Sequence, residues 1–215
     1  MSDNVYLFVP NLIGYGRIVL AIMSFWFMPY DPTRATLCYL SSALLDSLDG
    51  HAARLLGQSS KFGAMLDMLT DRCATMCLLV VLSQFYPSYM ILFQLSMSLD
   101  IASHWLFMHS TMMKGSQSHK AIDLSGNPIL RQYYTKPVLF VMCSGNELFY
   151  SMLYLLHFNY GPTLLFGIGL WQLICVLTFP IAAVKSAISA VHLYAASANI
   201  VAIDVAEREG RLKDN

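Results

Sequence analysis

The sequence predicts an all-α protein, an integral membrane bundle of six transmembrane helices preceded by a short N-terminal juxtamembrane helix. Three observations carry that expectation. Of 215 residues, 56% are hydrophobic and only 12% are charged, about half the roughly 25% charge of a soluble domain. The apolar residues gather in runs of the roughly 20 residues that a membrane span needs, with room for about six. Prolines and polar clusters separate the runs. This composition excludes a disordered chain, which needs few apolar residues and many charges, and it argues against a soluble globular enzyme.

Taken in order, the segment from Val5 to Pro10 is a short amphipathic lead. The first span covers about 11–29 and breaks at Pro29, with Asp31 and Pro32 behind it. The second run covers about 33–56, and the third about 62–85, ending before Pro87. The fourth covers about 88–109 and is followed by a polar stretch from Lys114 to Lys136. The fifth covers about 137–157 and the sixth about 162–194. Residues 1–203 are expected to form the membrane domain, and 204–215 a charged, frayed cytosolic tail. MSDNVYLFVPN has neither a basic leader nor a small-residue cleavage site, so the first span is expected to serve as its own insertion signal.

Lys and Arg set the orientation. Arg54 and Lys61, then Lys114, Lys120, Arg131 and Lys136, then Arg208, Arg211 and Lys213 all fall on alternate connections. The connections between them carry almost no basic residues. The positive-inside rule then places both termini in the cytosol. Formal net charge is zero and no basic excess points to nucleic acid. The five cysteines, Cys38, Cys73, Cys77, Cys143 and Cys175, lack zinc spacing and read as small buried hydrophobes without a disulfide framework.

The informative anomaly is LLDSLDGHAARLLGQSSKFGAMLDMLTDR, where Asp46, Asp49, Asp67 and Asp71 interrupt apolar runs. Each such charge costs roughly 2.5–3.5 kcal/mol at a helix centre. At about 100° per residue, Asp46, Asp49, Gly50, Ala53 and Arg54 share roughly 140° of one helix, and Gly63, Asp67 and Asp71 about 80° of the next. A short connection makes the two helices antiparallel, so these faces can meet. Gly50 and Gly63 let backbones or a ligand come close. Four facing carboxylates repel, so some are protonated or cations sit between them. Hard oxygen ligands suit Mg²⁺ or Mn²⁺, which keep positions open for phosphates. Structural pairing with Arg54 and Arg72 is the plainer reading, but two arginines do not balance four acids.

Asp46-x-x-Asp49-Gly50-x-x-Ala53-Arg54, eight residues, then Gly63-x-x-x-Asp67-x-x-x-Asp71 resembles the signature of the CDP-alcohol phosphotransferase family. All eight positions match. NLIGYGRIVLA, FGAMLDMLTDRCATMCLL, SLDIASHWL, DLSGNPILRQYYT and GNELFY extend the resemblance to the eukaryotic branch of that family that forms phosphatidylinositol. The resemblance implies transfer of a phosphatidyl group from CDP-diacylglycerol to myo-inositol with release of CMP. It implies that Asp46, Asp49, Asp67 and Asp71 hold two divalent ions, Mg²⁺ or Mn²⁺, and that Asp71 is the general base. It assigns Gly50, Arg54 and Ser60 to CDP-diacylglycerol. It further implies a homodimer in the endoplasmic reticulum membrane, with the site facing the cytosol.

The acceptor contacts are more open. Ser96, Asp100, Ser103 and His104 share about 100° of one helix face. Asp100, Ser103 and His104 are candidate inositol contacts, set against a plain polar contact to the third helix or to Arg72. Lys120, Arg131 and Lys136 either touch phosphates and anionic head groups or simply follow the positive-inside rule. Asn11 and Pro10 lie where the nucleotide could approach. Arg17 is expected to snorkel or to pair with an acid across the bundle. His51 reads as packing, and Glu147, beside Asn146, has no partner readable from sequence. Two competing readings stay open: the same donor with an acceptor such as glycerol phosphate or serine, and a cation transporter, against which no inverted repeat is visible.

Overall fold

Asn4 accepts a hydrogen bond from the Tyr6 N–H and closes a single 3-10 turn, Val5–Leu7, where the sequence reading expects a juxtamembrane helix. The molecule, a computed structural model, is described over residues 4–114, 128–164 and 167–214. Among the described residues seven α-helices follow the turn: α1 Val9–Phe27, α2 Pro32–Leu55, α3 Lys61–Phe85, α4 Met90–Lys114, α5 Pro128–Tyr133, α6 Lys136–Phe158 and α7 Leu170–Asp214. Among the described residues there is no strand, only an isolated bridge between Thr163 and Gly169.

Local chemistry fixes the helix ends. The Asp31 side chain accepts from the Arg34 N–H at 3.0 Å and Pro32 occupies the first turn, starting α2. At its other end Gly57 has φ +63°, and the Gln58 N–H reaches back to the Ala53 carbonyl at 3.0 Å. That is the glycine-terminated cap that turns a chain sharply. Ser60 then caps α3 by accepting from the Gly63 N–H at 2.9 Å. The Gln58 side chain also accepts from the Val9 N–H at 2.9 Å, which ties the α2–α3 turn to the start of α1. This turn points the acid-bearing faces of α2 and α3 toward each other, with α1 packed against both helices.

α1 packs along α2, α6 along α7, and α4 on both α3 and α7, while α3 also touches α1 and α6. Met28, Ala35, Tyr39, Leu78, Leu79, Leu82, Phe93, Tyr150 and Tyr154 form the main apolar core. Hydroxyls lace the helices together: Ser24 donates to the Ala35 carbonyl at 2.8 Å, Ser42 to the Arg17 carbonyl at 3.1 Å, and Tyr154 to the Met28 carbonyl at 3.0 Å.

Polarity is inverted relative to a water-soluble protein. Arg17, Asn11, Ser24, Ser103, Ser110 and Asn199 are all at most 2% exposed, whereas Leu37, Leu40, Leu44 and Leu48 of α2 are 50–67% exposed. An apolar exterior around a polar interior matches hydrocarbon as the solvent, where backbone groups are satisfied inside helices. Among the described residues four stretches are long and apolar enough to cross a membrane: Val9–Phe27, Pro87–Met113, Lys136–Phe158 and Leu170–Leu212. α2 and α3, the carriers of the acids, are long enough but too polar to qualify.

Two expectations change. The sixth apolar run does not stop near residue 194. α7 runs 45 residues to Asp214, so the stretch from Asp204 is helical, with Arg211 3.6 Å from Glu207 one turn away. Of the cysteines only Cys175 is buried; Cys73 and Cys143 are exposed, because much of the outer face is apolar without being covered. Lys120 lies outside the described residues.

Candidate functional site

The four aspartates converge, and what they converge on is Arg17. Asp46 and Asp49 come from α2, Asp67 and Asp71 from α3, and the guanidinium enters from α1. Its Nη2 lies 2.6 Å from Asp46 Oδ1 and 2.5 Å from Asp71 Oδ1; its Nη1 lies 2.8 Å from Asp49 Oδ2 and 2.6 Å from Asp67 Oδ1. Arg17 is 2% exposed and Asp49 8%, while Asp46, Asp67 and Asp71 are half-buried. The planar fork of a guanidinium suits several carboxylates at once. Its single charge does not balance four carboxylates, and among the described residues the one other cation within 4 Å of them is Arg72, 3.9 Å from Asp71 Oδ2 and shared with Asp100.

That surplus defines what the site can hold. Asp46, Asp49 and Asp67 each offer an oxygen, and these oxygens lie within 4.8 Å of one another. Hard oxygen donors this close fit a divalent cation such as Mg²⁺ or Mn²⁺. Asp71 stands beside this trio and joins it through Arg17 rather than as a fourth member.

The motif glycines do different work. A Cβ at Gly50 would meet only Arg54 Nη1 at 3.6 Å, so the space over Gly50 is open. Arg54 in the last turn of α2 is exposed and forms no ion pair among the described residues, leaving its donors available to an anion. A Cβ at Gly63 would stand 2.7 Å from Asn11 Oδ1 and 3.1 Å from Ser60 Oγ, so glycine there is what lets α1 approach α3. Ser60 serves as the α3 cap. Asn11 is buried, with its amide donating to the Val5 carbonyl at 2.5 Å. His51 is exposed.

A cavity of about 420 Å³ opens from Asp46, Asp71 and Arg17 toward α6. Its wall includes Tyr39, Thr75, Arg72, Glu147 and Lys185. The Tyr39 phenol is hydrogen-bonded to Glu147 Oε1, and the Thr75 hydroxyl donates to Glu147 Oε2 at 3.1 Å. The partner of Glu147 is therefore a pair of neutral donors on α2 and α3.

The candidate inositol contacts form a separate knot. Arg72 Nη1 donates to both Asp100 oxygens at 3.0 Å, and Lys185 Nζ lies 3.8 Å from Asp100 Oδ1. His104 Nδ1 sits 2.8 Å from the Asp100 carbonyl, and Ser103, fully buried, donates to the same carbonyl at 3.1 Å. None of Asp100, Ser103 and His104 lines the larger cavity. Asp100 lines a much smaller one, of about 20 Å³, with Ser96 and Tyr150. Arg72 links the two groups, with Nη2 3.9 Å from Asp71 Oδ2.

The expected pairing of Arg17 with an acid across the bundle is found, with four acids rather than one; sequence reasoning misses Lys185, Tyr39 and Thr75. A lone Lys185 in an apolar run is a readable signal, because a buried ammonium needs a partner. Tyr39 and Thr75 carry none, since both are ordinary residues in a span.

Comparison with known proteins adds the rest. The family model described as CDP-alcohol phosphatidyltransferase matches residues 7–184. The chain is 61% identical over 212 residues to the CDP-diacylglycerol--inositol 3-phosphatidyltransferase of Rattus norvegicus, covering 96% of this chain and 97% of the relative. It is 60% identical over 212 residues to the protein of that name in Homo sapiens, with the same coverage. It is 54% identical over 209 residues to the one in Drosophila melanogaster, covering 97% of this chain and 92% of that protein. No solved structure matches the chain.

Proposed function

Because the chain belongs to the CDP-alcohol phosphatidyltransferase family, we propose that it transfers the phosphatidyl group of CDP-diacylglycerol to myo-inositol, giving phosphatidylinositol and CMP. The observation that carries this reading is the convergence of four carboxylates on one buried arginine, more negative charge than it balances, beside an open glycine and an arginine free of ion pairs among the described residues. The names of relatives at about 60% identity over nearly the whole chain support the substrates.

Transfer from a diphosphate requires charge neutralisation and alignment more than covalent help. Asp46, Asp49, Asp67 and Asp71 would hold two divalent ions, Mg²⁺ or Mn²⁺, which when bound supply positive charge to the diphosphate. Arg17 orients one oxygen of each aspartate from below and leaves each carboxylate a second oxygen. Gly50 gives the nucleotide access to the α2 backbone, and Arg54 offers it donors. Ser60, with its oxygen already accepting from Gly63, has its hydroxyl proton left for the same ligand. Asp71 faces the cavity and takes the proton of the attacking inositol hydroxyl as general base. The bond from the phosphorus to the CMP oxygen breaks, and the bond to the inositol oxygen forms.

The same reading makes α1, α2, α3, α4, α6 and α7 six spans, with the acids of α2 and α3 facing inward where hydrocarbon does not reach them. Arg54, Lys61, Arg131 and Lys136 at one end support a site open to the cytosol, and the family supports a homodimer in the endoplasmic reticulum membrane. Purified protein in detergent micelles, given CDP-diacylglycerol and either labelled inositol, glycerol phosphate or serine, tests the reaction. Label should enter lipid with inositol alone, matched by CMP; incorporation of another acceptor in preference to inositol would overturn the assignment.

A further inference from the structure

Glu147 stands in the middle of α6, half-buried, on the wall of the cavity that also contains Asp71. A carboxylate within a span is costly unless something uses it. No lysine or arginine lies within ion-pair distance of it among the described residues. Arg72 is turned to Asp100, and so is Lys185. Instead two neutral donors from two other helices reach Glu147, Tyr39 of α2 and Thr75 of α3, the Thr75 hydroxyl sharing its one proton with the Asp71 carbonyl at 3.2 Å. A carboxylate accepts at about four lone-pair positions. Two are taken, and the others are open to the cavity.

We propose that Glu147, braced by Tyr39 and Thr75, is the group that recognises the hydroxyls of the cyclic polyol acceptor. The inference rests on transfer to inositol as proposed above. Its geometry is simple. Thr75 follows Asp71 by one helical turn, about 6 Å along α3. A ring polyol whose reacting hydroxyl meets Asp71 then extends its far hydroxyls toward the Thr75 level, where Glu147 waits. Hydroxyls donate to a carboxylate, and a polyol carries several of them. The bracing fixes the direction of the carboxylate, so the polyol meets a pre-set acceptor pair.

The test compares the full-length wild type with Glu147→Gln, which keeps shape and removes charge, and Tyr39→Phe, which keeps the ring and frees one carboxylate oxygen. Apparent KM for inositol and for CDP-diacylglycerol are measured separately in micelles. Losing a hydrogen bond to a charged group should raise the inositol KM of Glu147→Gln about tenfold or more, with the donor KM within about twofold of wild type. Tyr39→Phe should shift the inositol KM the same way by a smaller factor, and it decides the matter if Glu147→Gln does not fold. An inositol KM unchanged within about twofold, or both KM values rising together as a merely structural network would give, overturns the inference. A wild type that makes no lipid from inositol overturns the proposed reaction instead, so the two failures are distinct.

Discussion

At the level of single residues, Arg17 is the hinge of the site. It is 2% exposed and is the only described cation within 4 Å of Asp46, Asp49 and Asp67. Removing one partner of a buried ionic cluster costs roughly 3–5 kcal/mol. Arg17→Ala should therefore lower the thermal unfolding temperature in detergent by several degrees, and added Mg²⁺ should recover more of it in the variant than in wild type. Equal effects of Mg²⁺ on both would mean that the carboxylates are not the cation site. Asp71 faces the cavity whereas Asp49 is buried beneath it. Asp71→Asn should reduce turnover by about 10²–10⁴, the usual worth of a positioned general base. Its CDP-diacylglycerol KM should change far less than its turnover, and near-normal turnover would remove Asp71 from that role.

At the level of helices, close approach rather than side-chain bulk sets the geometry. A Cβ at Gly63 would lie only 2.7 Å from Asn11 Oδ1, so alanine there must push α1 from α3. Gly63→Ala should cost roughly 1–3 kcal/mol, typical of overpacking, and Asn11→Ala in the same chain should restore most of it. A non-additive recovery measured by thermal unfolding checks the contact. Much of this layer is legible in sequence. The 3.6-residue spacing puts Asp46 and Asp49 on one face and Asp67 and Asp71 on another, and Gly57 with Gln58 and Ser60 spells a tight turn between them. What spacing does not reveal is which third helix meets that seam. Arg17 reaches its partners across 29 to 54 positions of chain, and Glu147 reaches Tyr39 and Thr75 across 108 and 72, through packing that no local pattern encodes. The end of α7 escapes sequence patterning for a related reason: a charged stretch ends a span but does not end a helix.

At the level of the whole molecule, the inverted polarity and the clustered basic residues describe a bundle with its acids near one end. Lys61→Cys and Tyr160→Cys, each in a cysteine-free background, should react with an impermeant maleimide from opposite sides of a sealed vesicle, Lys61→Cys from the cytosolic one. Labelling from the same side would contradict the six-span arrangement. On the proposed mechanism, the surplus negative charge within that bundle is matched by metal at the moment of transfer. The most direct measurement follows CMP release from CDP-diacylglycerol in micelles, with and without inositol, before chelation, after it, and after return of Mg²⁺ or Mn²⁺. Release should require inositol, vanish with chelator and return with either ion. Release that persists without metal, or that proceeds equally without inositol, would contradict it.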